Sequence, residues 1–120
     1  MDFQVQKKTV ALHFGFDFME AINQLSGISN SGVNLGMGAM TEQQRLEMGD
    51  MAALTRVIYA ATAGVSPRPS LDLIKSEVFS LTDEKQVDDL FAQVQEELKN
   101  SFPLQYQLKK MEKLAAKNKL

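Results

Sequence analysis

The chain has 120 residues, 44% of them hydrophobic and 23% charged, which is the composition of one soluble globular domain. It contains no cysteine, which excludes disulfides, thiolate nucleophiles and cysteine-based metal sites. The most apolar run, Met51 to Val65, includes Arg56 and is too short to cross a bilayer, and the first ten residues lack the apolar core of a signal peptide.

Charge is distributed unevenly along the chain. Residues 1–103 carry 8 Lys and Arg against 14 Asp and Glu, a balance of −6, whereas residues 104–120 carry five lysines against Glu112 alone, a balance of +4. This asymmetry predicts a helical domain over residues 1–103 followed by a basic amphipathic tail helix over residues 104–120. The acidic body argues against nucleic-acid binding through that body.

Alternation of apolar residues at the start of the chain predicts a short β element, either one strand or a hairpin, carried by Phe3, Val5, Val10, Leu12 and Phe14. Asp17 and Glu20 stand at capping-box spacing, so a first helix is expected over about residues 17–26. Residues 27–40 hold four of the seven glycines. They predict a loop, and they are a candidate for a segment that orders when a partner binds.

The centre of the chain predicts a pair of helices with a proline-containing joint. Thr41 and Asp50 are candidate N-caps, so residues 41–64 are expected to form one helix kinked near Gly49 or two short helices, ending at Gly64. Two prolines in the following segment SPRPS forbid helix continuation. We interpret this segment as a joint that sets two apolar helix faces against each other, because the helix after it lacks the basic residues of a DNA-reading helix.

Three further helices are predicted after the joint. Ser70 is the expected N-cap of the first, and Thr82 or Asp83 that of the second. The second has the clearest apolar spacing in the chain, through Val87, Leu90, Phe91, Val94 and Leu98. Leu104, Leu108 and Met111 trace the tail helix. The sequence therefore predicts a mainly α domain of four to five helices with a short N-terminal β element.

The residue types that support catalysis do not form a recognisable set. The single His13 is read as an exposed or partly packed strand residue. Adjacent carboxylate pairs such as Asp88 and Asp89 follow one another on one predicted helix, which is typical of a solvated face rather than of an acid–base dyad. The loop glycines match neither phosphate-binding pattern. We predict no catalytic residue, no cofactor and no metal, and consider an enzyme the least supported class.

Methionine is clustered: Met37, Met40, Met48 and Met51 fall within fifteen residues. Flexible thioether side chains adapt to irregular apolar partners, and they also fill cores. The two interpretations, a binding surface and core packing, stay open from sequence alone.

The order of these elements resembles the tail assembly chaperones of long-tailed bacteriophages and prophages. The resemblance covers roughly residues 9–103: the strand and helix VALHFGFDFMEAINQLSG, a variable loop, the helix GDMAALTRVIYAATAG, the joint opening SLDLIKSEVF, and the acidic helix DEKQVDDLFAQVQEELKNSF. It rests on element order and helix patterning rather than on a catalytic signature. The glycine- and methionine-rich loop and the basic tail fit that pattern less closely.

This resemblance implies a small non-enzymatic protein of the host cytoplasm that is absent from the finished virion. Its implied partners are the tape measure protein, which it would keep soluble, and tail tube subunits, which it would help to recruit; homo-oligomerisation is a further expectation. A client of this kind would donate amphipathic helices to a groove between helices.

The candidate partner-binding residues combine the methionine cluster with apolar positions of later helices: Met37, Met40, Met48, Met51, Val57, Tyr59, Leu108 and Met111. For Val57 we prefer a core position. The alternative function is a generic helical adaptor or a small transcriptional regulator whose basic tail contacts acidic partners.

Overall fold

A computed structural model describes residues 1–26, 29–30, 33–34 and 37–117. Its helices are α1 (Phe16–Ser26), α2 (Gly38–Glu47), α3 (Met51–Ala60), α4 (Leu71–Phe79), α5 (Glu84–Lys99) and α6 (Phe102–Lys117). The strands are β1 (Asp2–Val5), β2 (Lys8–Ala11), β3 (Ser29–Asn30) and β4 (Val33–Asn34). The predicted fold class is confirmed, and the described helices number six because residues 38–60 form two helices.

The N-terminal β element is an antiparallel hairpin in which Phe3 pairs with Val10 and Val5 with Lys8. Its two-residue turn places Gln6 and Lys7 at φ 50° and 67°, the left-handed geometry that matches the twist of paired strands. The backbone N–H of Gln6 donates to Glu77 Oε1 of α4 at 2.9 Å. This bond fixes the turn of the hairpin against α4.

Three of the predicted N-caps are confirmed. Asp50 accepts hydrogen bonds from the backbone N–H groups of Ala52 and Ala53 at 2.9 and 3.1 Å. Ser70 Oγ accepts from the N–H of residue 73 at 3.2 Å, and Asp83, rather than Thr82, caps α5. Each cap satisfies N–H groups that the first turn of a helix leaves without a partner. Gly49, at φ +76°, separates α2 from α3.

The predicted cap at Thr41 is wrong, because α2 begins three residues earlier, at Gly38. The Thr41 hydroxyl instead donates to the Met37 carbonyl at 2.9 Å, inside the helix. The N–H of Gly38 donates to Asn23 Oδ1 at 2.9 Å, so a side chain of α1 caps α2. Asp17 likewise lies within the first turn of α1, not at its cap.

The predicted loop over residues 27–40 is therefore shorter at its end, since residues 38–40 are helical. Within it β3 pairs with β4, Ser29 opposite Asn34 and Asn30 opposite Val33. Residues 27–28, 31–32 and 35–36 lie outside the described residues. The expectation that this segment orders when a partner binds concerns these residues and stays a prediction.

The joint between α3 and α4 is closed by an arginine. Helix α3 ends at Ala60, four residues before Gly64, where the sequence predicted its end. The chain turns through the residues between them. Arg68 Nη2 donates to the Tyr59 carbonyl at 3.0 Å and its Nε to Thr62 Oγ1 at 3.1 Å. A guanidinium at the carboxyl end of a helix satisfies free carbonyls and complements the helix dipole. The prolines thus lead into α4, which packs on α3 as the joint interpretation predicts.

Helix α3 is the centre of the core, in contact with α1, α2, α4 and α5. The large apolar side chains buried to 1% exposure or less are Phe18, Ile22, Leu54, Val57, Ile58, Ile74, Val78, Val94, Leu98 and Leu104. The buried Ser101 hydroxyl donates to the Phe14 carbonyl at 2.6 Å, joining the start of α6 to the start of α1. The division of the chain at residue 103 remains a prediction.

Candidate partner-binding surface

The four clustered methionines lie within α2, at its two ends and at the start of α3, and they differ in exposure. Met37 is half-buried at the N-cap of α2, and Met40 and Met51 are half-buried against the core. Met48, at the C-cap of α2, is 76% exposed. The structure therefore places one of the four, Met48, fully at the surface, while Met40 and Met51 combine core packing with partial exposure.

The remaining candidates lie on or near the core. Val57 is 1% exposed, as its core interpretation predicts. Tyr59 is half-buried, and the guanidinium carbon of Arg68 lies 3.9 Å from the centre of its ring. Leu108 and Met111 are half-buried, and Leu108 packs against the core. The role of these residues in partner binding stays a prediction.

A buried ion pair connects α2 to α3 beside this region. Glu42 is fully buried, and it accepts hydrogen bonds from Arg45 Nη1 and Arg56 Nη2, both at 3.0 Å, and from Arg56 Nε. The hydrogen bond to Glu42 raises the pKa of Arg56 above its ordinary value, against the opposing effect of burial. A bidentate arginine–carboxylate pair fixes both side chains in one plane, so the relative position of α2 and α3 is held firmly.

A groove with a largely apolar lining lies between α3 and α4. Its volume is about 380 Å³, and it is lined by Ala52, Thr55, Arg56, Leu71, Lys75 and Phe79. Phe79, the last residue of α4, is 49% exposed at its edge. Arg56 and Lys75 supply positive charge beside an apolar lining, which is the chemistry of a site for an amphipathic helix with acidic flanks.

Sequence reasoning missed several exposed apolar side chains. Phe16 and Phe102, the first residues of α1 and α6, are 70% and 78% exposed, and Tyr106 is 54% exposed. The signal was available in the tail: Phe102 and Tyr106 are four residues apart, on the side of the helix opposite the apolar positions Leu104 and Leu108. Large exposed apolar side chains are typical of surfaces that bind other polypeptides.

The polar residues considered as catalytic candidates lie at the surface. His13 is exposed and follows β2, where its backbone N–H donates to the Ala61 carbonyl. Asp88 and Asp89 are exposed on α5, as a solvated face requires. Across the described ranges, no three of His, Asp and Glu stand close enough to hold a metal ion. Within the same ranges no helix has the length and apolar character needed to cross a membrane.

Comparison with known proteins gives one family and no individual relative. No curated protein and no solved structure matches the chain. The model of one family, described as phage tail assembly chaperone protein, TAC, matches residues 2–113 and so takes in the hairpin and most of α6. On that match, which covers nearly the whole sequence, the chain belongs to the phage tail assembly chaperone family.

Proposed function

We propose that this protein binds the tape measure protein of its phage, keeps it soluble, and helps to recruit tail tube subunits to it. It acts in the host cytoplasm, without catalysis, and is absent from the mature virion. Membership of the family supports an assembly role. The choice of client rests on the resemblance described above and on the apolar surface of the helices.

The observation that carries this proposal is the exposure of Met48 and Phe79. Met48 precedes the first residue of α3 by three residues and Phe79 ends α4, and these two helices form the groove of about 380 Å³. The phenyl ring of Phe79 at the edge of the groove and the exposed thioether of Met48 before α3 offer adaptable contacts for successive helices of a long client. The acidic body keeps such a complex in solution through its net negative charge.

The test is co-expression of this chain with the tape measure protein encoded in the same phage genome. We expect the tape measure protein to move from the insoluble to the soluble fraction and to co-purify with this chain. A client that stays equally insoluble with and without this chain would contradict the proposal.

Surface variants locate the contact. The double substitution Met48→Ser and Phe79→Ser should reduce the soluble client at least about threefold, since it removes apolar contacts without touching the buried core. The matched control is Leu114→Ser, which changes a side chain that is 55% exposed on α6. If both variants solubilise the client as well as the parent chain, the α3–α4 groove is not the client site.

Recruitment of tail tube subunits is tested separately. Purified complex of this chain with its client is immobilised and exposed to tube protein, with the client alone as the comparison. We expect the tube protein to be retained by the complex and not by the client alone. Equal retention by both would remove recruitment from the function.

A further inference from the structure

The α3–α4 groove has two walls, each formed by one helix. Its lining residues are Ala52, Thr55 and Arg56 on α3, and Leu71, Lys75 and Phe79 on α4. The three α4 residues are four positions apart, so they follow one face of that helix over about 12 Å, a little more than two turns. The groove is therefore long enough to contact two successive turns of one partner helix.

The apolar part of the groove offers no free hydrogen-bonding side chain to a partner. Thr55, the one hydroxyl in the lining, is 4% exposed and donates to the Met51 carbonyl at 2.9 Å. The side chains of Ala52, Leu71 and Phe79 contain only carbon and hydrogen. A polar group placed over them would lose its bonds to water without a replacement, so the partner groups that cover them must be apolar.

Arg56 provides a positive charge that is fixed in place before a partner binds. Its Nε and Nη2 atoms donate to the buried Glu42. Its third guanidinium nitrogen, Nη1, makes no hydrogen bond within the described part of the chain, and the side chain is 27% exposed. A guanidinium that one carboxylate already orients keeps N–H groups for a second carboxylate, and it loses little side-chain entropy when that carboxylate binds.

Lys75 provides a second positive charge, in the middle of the α4 wall. It is exposed, and among the described residues it has no ion-pair partner. None of the six lining residues is acidic. Because Glu42 already pairs with Arg56, Lys75 carries the uncompensated charge of the lining. A groove of this kind attracts a carboxylate to the position between its two cations.

We propose that the α3–α4 groove selects client helices by a carboxylate, which bonds to Lys75 and to Nη1 of Arg56 while apolar side chains of the same helix cover Leu71 and Phe79. The inference rests on the proposed function and adds the character of the client segment: two large apolar residues about one turn apart, with an Asp or Glu beside them. An apolar helix without the acid binds more weakly, because the two cations lose water without gaining a partner.

Two synthetic peptides test this selection without any phage client. Both are alanine-based helices with two leucines four residues apart, and the residue before the second leucine is glutamate in one peptide and glutamine in the other. Fluorescence anisotropy of the labelled peptides measures binding to the full chain in about 50 mM NaCl. We expect the glutamate peptide to bind at least about fivefold more tightly, and this preference to shrink in about 500 mM NaCl. Equal affinities, or no binding of either peptide at about millimolar protein, would overturn the inference.

Charge reversal at Lys75 tests which residue selects the carboxylate. Lys75→Glu should abolish the preference for the glutamate peptide, because it places a carboxylate next to the carboxylate of the peptide. The matched control is Lys85→Glu on α5, since this lysine is exposed, lies outside the groove and changes the net charge equally. The control should keep the full preference. A Lys75→Glu chain that still prefers the glutamate peptide would contradict selection by Lys75.

Phe79→Ser tests whether the peptides lie in the groove. Both peptides contact this ring with leucine, so the substitution should weaken both at least about threefold and leave the preference for glutamate unchanged. If neither peptide is weakened, the peptides bind elsewhere on the chain and the groove does not select them.

The tape measure protein separates this inference from the proposed function. We expect Lys75→Glu to retain at least about threefold less soluble client on co-expression than Lys85→Glu does. If both variants solubilise the client as well as the parent chain, the proposed function stands and selection by a carboxylate is wrong. If the parent chain distinguishes the two peptides but solubilises no tape measure protein, the carboxylate site stands and the proposed client is wrong.

Discussion

At the scale of single residues, Glu42 has the most demanding environment in the described part of the chain. It is a fully buried carboxylate whose cost of desolvation is offset by two arginines on α2 and α3. Such a pair contributes little net stability, but it favours one arrangement of α2 and α3, because its hydrogen bonds are lost if either helix shifts. The pair therefore fixes the position of α3, the helix that contributes three of the six residues lining the α3–α4 groove.

Glu42→Gln should therefore lower the free energy of unfolding by about 1–3 kcal/mol, because a neutral amide cannot pair with both guanidinium groups and one of its polar atoms is left without a partner. Urea unfolding monitored by circular dichroism measures the change. The matched control is Glu47→Gln on the same helix, which is exposed and should change stability by less than about 0.5 kcal/mol. Equal effects of the two substitutions would contradict the account of Glu42.

Alkaline pH leaves this pair intact. A folded-state pKa raised above the unfolded value stabilises the fold at every pH below the unfolded value, and the gain is lost only as pH rises through the folded value. Because bonding to Glu42 raises the already high pKa of Arg56, that loss falls far above the working range. The difference in stability between the parent chain and Glu42→Gln should thus be constant from about pH 7 to about pH 10.

At the scale of the elements, the approach of α1 to α2 is set by one glycine. A Cβ atom on Gly38 would lie 2.5 Å from the Ile22 carbonyl oxygen, closer than Cβ atoms come to other atoms in proteins, and that oxygen belongs to the backbone of α1. The same close approach brings Asn23 within reach of the Gly38 N–H. Packing and capping of α2 thus depend on the absence of a side chain at residue 38.

Gly38→Ala should lower the free energy of unfolding by about 2–4 kcal/mol, although alanine is the better helix former, because the two helices must move apart. Thermal unfolding of the two proteins measures the difference. Gly15→Ala is the control: a Cβ there meets no atom within 4 Å, so stability should be unchanged or slightly higher. A Gly38→Ala protein as stable as the Gly15→Ala protein would contradict the close approach.

We predict that the first turn of helix α6 contributes more to the stability of the fold than its last turns do. Leu104 is fully buried in the first turn of α6, so Leu104→Ala should lower the free energy of unfolding by about 2–4 kcal/mol. Leu114 is 55% exposed, so Leu114→Ala should lower it by less than about 0.5 kcal/mol. Both substitutions leave a good helix former in place, so the comparison isolates burial. This pair also tests the division at residue 103, since a large loss at Leu104 would assign the first turn of α6 to the body.

Local signals predicted much of this architecture. The caps at Asp50, Ser70 and Asp83 were readable because each side chain bonds to an N–H only two or three residues away. The start of α2 was not readable, because its cap is Asn23, fifteen residues upstream on another helix. Among the candidate site residues, periodicity predicted the inner side of α6 through Leu108 and Met111, whereas the prediction missed Phe102 and Tyr106, four residues apart on the outer side.

At the scale of the whole molecule, one contiguous core joins the hairpin to the first turn of α6, and the last turns of α6 stand outside it. Residues 112–117 are all exposed, whereas Ala53, Leu54 and Ile58 of α3 are completely buried. A core of this kind unfolds as one unit, while a helix end without tertiary contacts frays independently.

Hydrogen exchange measured by mass spectrometry should show this gradient. We expect peptides covering α3 to exchange slowest and peptides covering residues 112–117 to exchange at least about a hundredfold faster, in dilute protein. Protection of residues 112–117 equal to that of α3 under those conditions would contradict the single-core description.

The two tyrosines have different surroundings, so their fluorescence can be used to follow two different parts of the molecule. With no tryptophan in the chain, ultraviolet emission comes from Tyr59, beneath the Arg68 guanidinium, and Tyr106, exposed on α6. Changing Tyr106 to phenylalanine leaves one emitter at the α3–α4 joint, and changing Tyr59 leaves one on α6. Each single-tyrosine variant thus reports a change in the surroundings of its remaining ring without an attached dye.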